Sequence, residues 1–300
     1  MPHSQPGSPL AASAAPMVVD GHAHVFLKDL PLAGTRRYAP GHDATPAHYL
    51  GLLDAHGVTH GVLVQPSFLG TDNSYLLSVL HAHAQRLRGV VMLDPATDEA
   101  QLAALNAAGV VGVRLNLMGQ PLPDLDAPQW QGFLARLAAL DWHLELHRQA
   151  ADLPPLLDAA LRAGCRIVVD HFGRPDAAQT YADPGLAALL RRAASGRIWV
   201  KLSAAYRNGL GAQVTVAQRT PALLQADADA ARACAGRLLA AFGPERLVWG
   251  SDWPHTQHEQ LTDYGASLAA LADWVPHAAQ RARILGATAA ELFHLPPQHP

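Results

Sequence analysis

Two histidines one residue apart, His22 and His24, close the apolar run Val18-Val19-Asp20-Gly21-His22-Ala23-His24. In an extended chain residues i and i+2 point the same way, so both imidazoles can reach one point. A carboxylate, Asp252, holds the matching place near the other end, in Trp249-Gly250-Ser251-Asp252-Trp253-Pro254-His255. Between them, His147 and His171 end two further apolar runs. Imidazoles grouped with a carboxylate can hold a metal ion, or activate a water without one. His22, His24, His147 and Asp252 make up a mononuclear zinc set with a position left for water, whose pKa zinc would bring to about 7. A lone histidine is usually a core or surface residue, and most of the 17 here are read so. What singles these groups out is their recurrence at the ends of strands.

The elements that must position them follow one repeating pattern. A short β-branched run gives way to a polar or Gly-containing loop, then an Ala/Leu-rich helix, then Gly before the next run. Strands are predicted near 17–20, 61–65, 89–93, 110–117, 142–147, 166–171, 198–203 and 247–251. Several are almost wholly apolar, as parallel strands buried on both faces must be. Thr45-Pro46, Asp183-Pro184 and Thr220-Pro221 each place a capping side chain before a proline at the first helical position. Asp126, one residue further out, could cap the helix at Pro128–Leu140 in the same manner. Gly57, Gly109, Gly164 and Gly196 are expected to stop four helices. Eight such alternations with no second composition regime imply one α/β unit, a single (β/α)8 TIM barrel spanning 17–300. Residues 1–16, rich in Pro, Ser and Ala, read as a disordered tail without the charge and apolar run of a signal peptide. The loops 27–43, holding Arg36, Arg37 and Tyr38, and 204–218 are long enough to fold over the barrel mouth, or to be plain surface loops.

Composition limits the partners. The chain has 300 residues, 49% hydrophobic and 16% charged, with a net charge of −3 and no basic cluster. That disfavours nucleic acid and anionic membranes as partners. No run approaches the roughly 20 apolar residues of a membrane span, and a cytoplasmic protein is expected. Two cysteines, Cys165 and Cys234, lack a CxxC spacing and read as reduced and structural. Oligomeric state is not legible.

Arg114 and Lys201 each interrupt an apolar strand, which is costly without an anionic partner. Arg114 could pair with Asp94 or Glu145, or with a ligand carboxylate that suits its guanidinium fork. Lys201 is read as paired with an acid such as Asp170. Asn73 could serve a substrate or cap the second helix.

The HxH after strand 1, His171 in Val169-Asp170-His171-Phe172-Gly173-Arg174-Pro175, and Trp249-Gly250-Ser251-Asp252-Trp253-Pro254 together resemble the amidohydrolase superfamily. The resemblance covers about Val18 to Phe293 and is nearest to the lactone-hydrolase branch that includes the 2-pyrone-4,6-dicarboxylate lactonases. It implies hydrolysis of a small carboxylated lactone, in sugar-acid or aromatic-acid breakdown, without an obligatory metal. Asp252 would be the general base, with His22, His24 and His171 on the carbonyl. Arg114, Arg174 and Arg207 would grip carboxylates, Ser67 would add a hydrogen bond, and Tyr38 is a weaker match. Three positions depart from the branch: Gln120 replaces a second substrate arginine, His147 replaces a tyrosine, and His255 replaces an asparagine. His147 and His255 are carried as substrate-binding candidates, and His147 leaves a zinc-bound form open. The competing readings are a metal-dependent decarboxylase of an unsaturated acid and, less well supported, a non-catalytic carboxylate-binding barrel.

Overall fold

In the computed structural model, which describes residues 16–179 and 182–295, eight strands pair side by side in the order in which they occur. They are β1 (Val19–Ala23), β2 (His60–Val64), β3 (Leu87–Val91), β4 (Val110–Asn116), β5 (His143–His147), β6 (Arg166–Val169), β7 (Ile198–Leu202) and β8 (Leu247–Trp249). Every pairing is parallel. The expected tail lies almost wholly outside the described residues, as do positions 296–300 of the expected barrel.

The helices are α1 (Pro46–Ala55), α2 (Ser74–Ala82), α3 (Glu99–Ala107), α4 (Pro128–Ala139), α5 (Leu153–Arg162), α6 (Pro184–Arg191) and α7 (Pro221–Phe242). After β8 come α8 (Tyr264–Trp274), α9 (Ala278–Leu285) and α10 (Ala287–Leu292). Thr45, Asp183 and Thr220 each accept a hydrogen bond from the third amide of the following helix. Asp126 does not cap α4. Ala127 stands at that position, and the Asp126 carboxylate instead binds Arg162 Nη2 at 2.6 Å. The four expected helix-stop glycines all have positive φ, between 64° and 89°.

Strand alternation divides the core in two. On β5 the odd residues His143, Glu145 and His147 face the barrel interior, while Leu144 and Leu146 pack under the helices. The floor of the barrel is a separate apolar cluster that includes Val19, Val62, Val168, Trp199 and Val248, closed from below by Leu292 and Phe293 around the end of α10. Above it lies a charged layer, and above that the strand ends.

The barrel closes between β1 and β8 through a tight seam. A β-carbon on Gly250 would stand 2.5 Å from His22 Cβ, and one on Gly21 would stand 2.8 Å from the Trp249 carbonyl oxygen. Neither position can carry a side chain. Asp252 N donates to His22 O at 2.8 Å, and His24 N donates to Trp253 O at 2.8 Å. Buried Asp20 accepts from Ser251 N, Ser251 Oγ and Tyr49 Oη, which stitches β1, β8 and α1 together. The seam therefore sets His22, His24 and Asp252 against one another.

Some strand limits differ from the expectation. β1 continues to Ala23, so His22 lies within it, and β3 starts two residues earlier than predicted. β6 stops at Val169, and His171 sits in a tight turn with φ of 51°. Asp252 likewise has φ of 59°. Non-glycine residues in this region are strained, and such strain gathers where side chains must be aimed.

Candidate active site

Asp252 is 1% exposed and its two oxygens have different surroundings. Oδ2 accepts from Tyr206 Oη at 2.5 Å and Arg207 Nε at 2.8 Å. Oδ1 faces three imidazole nitrogens: His22 Nε2 at 3.5 Å, His24 Nε2 at 3.7 Å and His171 Nε2 at 3.9 Å. Burial works against its charge. The Arg207 guanidinium and the surrounding histidines outweigh that and hold the carboxyl well below its usual range.

Each histidine has a different partner on its far side. His24 Nδ1 lies 2.7 Å from the Val64 carbonyl, which can only accept, so Nδ1 carries a proton and, in the neutral ring, Nε2 holds the lone pair. His171 Nδ1 lies 2.8 Å from Ser203 Oγ, and burial pushes this histidine down to about 3. His22 Nδ1 lies 2.9 Å from the Lys201 ammonium, which can only donate. The same Nδ1 stands 3.4 Å from Asp170 Oδ1 and 3.6 Å from Glu145 Oε1; where it accepts from Lys201, the proton sits on Nε2 and faces the Asp252 side of the site.

The charged layer explains the two strand cations. Lys201 Nζ is 2.5 Å from Glu145 Oε2 and 3.5 Å from Asp170 Oδ1. Arg114 binds Asp170 Oδ2 through Nε at 3.0 Å and Nη2 at 2.8 Å, and lies 3.2 Å from Glu145 Oε1. Asp170 and Glu145 are thus the Arg114 partners, and Asp94 is not. Arg114 Nη2 also donates to His147 Nδ1 at 3.2 Å, so His147 too carries its proton on Nε2.

Over this layer opens a small cavity lined by His24, His147, His171, Asp252, Arg114 and Asn116 from the barrel. Arg37 and Tyr38 of loop 27–43, Pro66 and Ser67, Arg207 and Thr256 complete its wall. Both long loops therefore reach the mouth. Tyr38 is held there by packing on Phe68, and Ala33 N donates to Phe68 O at 2.8 Å. Arg174 lies behind Arg207, bonding the Arg207 carbonyl and Asn208 Oδ1, and burial with Arg207 and Arg37 nearby lowers it to about 10. His255 does not line the cavity: its Nε2 is 3.3 Å from Ser267 Oγ of α8. Asn73 neither caps α2 nor faces the cavity, because its amide bridges Thr71 O, Met92 O and Met92 N.

Among the described residues two groups of ligand atoms lie within 4.8 Å of one another, His22 with His24 and Asp252, and His22 with Asp170 and His171. His147 belongs to neither, so the four-ligand set expected from the sequence is not assembled. Reading by strand position also passed over Tyr206 and Ser203, and named Arg37 only as part of a loop able to reach the mouth. Tyr206 adjoins Arg207 and could have been noticed; nothing local marks Ser203.

A model of the amidohydrolase family matches residues 19–295. The chain belongs to the amidohydrolase family. It is 31% identical over 287 residues to a 2-pyrone-4,6-dicarboxylate hydrolase of Comamonas testosteroni, covering 94% of this chain and 88% of that one. It is 27% identical to a 4-sulfomuconolactone hydrolase of Hydrogenophaga intermedia, covering 95% of this chain and 91% of the relative. The crystal structure of a Pseudomonas putida protein assigned as a 2-pyrone-4,6-dicarboxylic acid hydrolase superposes with a TM-score of 0.85 at 47% identity, over 95% of this chain and all of that one. Among the described residues no helix of this amidohydrolase is long and apolar enough to cross a membrane.

Proposed function

We propose that this amidohydrolase opens a carboxylated lactone by water attack, with Asp252 as the general base. The observation that carries the reading is the division of labour on Asp252. Arg207 and Tyr206 hold Oδ2, which keeps the group ionised, and Oδ1 is turned to the imidazoles at the head of the cavity. The relatives that act on lactones supply the substrate class.

In this mechanism a water sits between Asp252 Oδ1 and the lactone carbonyl carbon. One of its protons points to Oδ1 and the other to the lone pair of His24 Nε2, which aims its oxygen at the carbon. As the C–O bond forms, Asp252 takes the first proton, and the carbonyl becomes an oxyanion. His22 Nε2–H is the donor placed to receive that charge, with His171 and the Arg207 guanidinium beside it. Collapse of the tetrahedral intermediate breaks the ring C–O bond, and protonated Asp252 returns its proton to the leaving oxygen. The product is a hydroxy acid, which releases one proton to solvent. Arg114, Arg207, Ser67 and Tyr38 orient the substrate, with Arg174 behind Arg207; His147 Nε2–H adds a donor from the cavity wall.

If zinc binds, His24 Nε2 and Asp252 Oδ1 with His22 or His171 would hold it, and it would supply a hydroxide at neutral pH.

The test is acid release, followed with an indicator, over a panel of pyrone dicarboxylates, muconolactones and sugar-acid lactones. Turnover of a panel member, unchanged after a chelator and reduced at least about 10³-fold by Asp252→Asn, is expected. Silence over the whole panel, or full activity of the folded Asp252→Asn variant, would overturn the proposal. So would release of carbon dioxide in place of ring opening.

A further inference from the structure

The mouth of the barrel holds more positive charge than its own carboxylates can balance. Arg37, Arg114 and Arg207 line the cavity, Arg174 lies behind Arg207 and Lys201 in the layer below, and the carboxylates that pair with these five cations are Glu145, Asp170 and Asp252. Arg114 and Lys201 are taken by the first two, and Arg207 by Asp252. Arg174 meets only neutral oxygens, the Arg207 carbonyl and Asn208 Oδ1, and its buried Nε has no partner. Arg37 lines the cavity and makes no hydrogen bond or ion pair among the described residues. Two guanidinium charges are therefore left over at the site.

Arg37 also stands in an informative place. A β-carbon built on Gly119 would lie 3.9 Å from Arg37 Cδ, so Arg37 of loop 27–43 reaches the loop after β4, next to Gln120. Gln120 is where the lactonase branch was expected to present a second substrate arginine. The charge that loop lacks is delivered from the opposite side of the mouth. Like charges held together without an anion repel, and a bound anion relieves this.

We infer that Arg37 is a specificity-determining residue, the second anion-binding cation of the mouth, and that the substrate carries two anionic groups. One group is held by Arg37 and the other by Arg207, with the unbalanced Arg174 charge behind it. The inference rests on the lactonase reading for the ring of the substrate but not for its charge, and it is tested by binding alone. Isophthalate has two carboxylates on one planar ring and benzoate has one, and neither can be hydrolysed.

Calorimetry should find isophthalate bound at least about tenfold more tightly than benzoate by the wild-type protein, the gain of one charge-assisted contact. Arg37→Met, at an exposed loop position, should remove most of that preference while changing benzoate binding less than about twofold. Adding Gln120→Arg to Arg37→Met should restore the preference, because the charge returns from the neighbouring loop. Equal binding of the two probes by the wild type, or a preference that survives Arg37→Met, would overturn the inference. So would failure of isophthalate to bind at all. Discrimination that depends on Arg37 in a protein that hydrolyses no lactone would leave this inference standing and remove only the proposed reaction.

Discussion

Asp252 keeps its charge although it is buried, because Arg207 lies 2.8 Å from one of its oxygens and Tyr206 donates to that same oxygen. Among the groups that favour the carboxylate, Arg207 contributes most. Removing that cation leaves desolvation less opposed, so the Asp252 pKa must rise. An ionised base is needed for turnover, and activity is lost as pH falls through its pKa. Arg207→Met should therefore move the acid limb of kcat/KM to higher pH than in the wild type. An acid limb that stays in place would show that Arg207 does not set the charge on the base. Tyr206 remains a donor over this range, since burial and the Asp252 charge raise its own pKa.

At the scale of elements, the helix starts show which local signals transfer into structure. Asp183 Oδ1 accepts from Leu186 N at 2.7 Å and satisfies an amide that α6 leaves open, and Asp183 is itself buried. Asp183→Ala should lower unfolding stability by about 1 kcal/mol or more in urea denaturation. Asp126→Ala should cost no more than about 0.5 kcal/mol, because it loses only a surface pair with Arg162. Equal losses from the two substitutions would contradict the assignment of caps. In the sequence the two aspartates look alike, each shortly before a proline. The difference is one residue of spacing, which puts Ala127 at the cap and frees the Asp126 side chain for α5.

Acid stability belongs to the whole molecule, because the barrel interior keeps several histidines neutral. Burial lowers His22 and His147 well below the ordinary value of 6.5, and lowers His171 to about 3. In the unfolded chain these groups take up protons near pH 6.5, whereas in the barrel they do not. The unfolded state then binds more protons, so stability falls as pH drops below about 6.5. Each such histidine contributes a slope of about 1.4 kcal/mol per pH unit. The depressed carboxyls Asp170 and Asp252 lose their contributions in the same direction, but only below their unfolded value of 3.8. Unfolding free energy should thus begin to fall near pH 6.5. A curve flat down to pH 4 would mean that these imidazoles are charged in the native barrel.

The sequence by itself determined the strand and helix order, the three proline-backed caps, the glycine stops and the chain positions of His22, His24, His171 and Asp252. Those features are written in short-range periods, in turn chemistry and in motif order, and a barrel of parallel strands follows from their repetition. Tertiary structure alone decided which groups are spent on one another. Lys201 reaches Glu145 across 56 residues and His22 across 179. Asn73 was drawn from a capping position into a brace for β3, and His147 was taken by Arg114 away from the ligand set. Arg37 came to rest beside Gly119 from a loop whose length allowed that reach without naming the partner. Each outcome depends on strand register and on the closure of β8 against β1. Partners there are chosen by distance and by the cost of leaving a buried charge alone, neither of which any local stretch of sequence encodes.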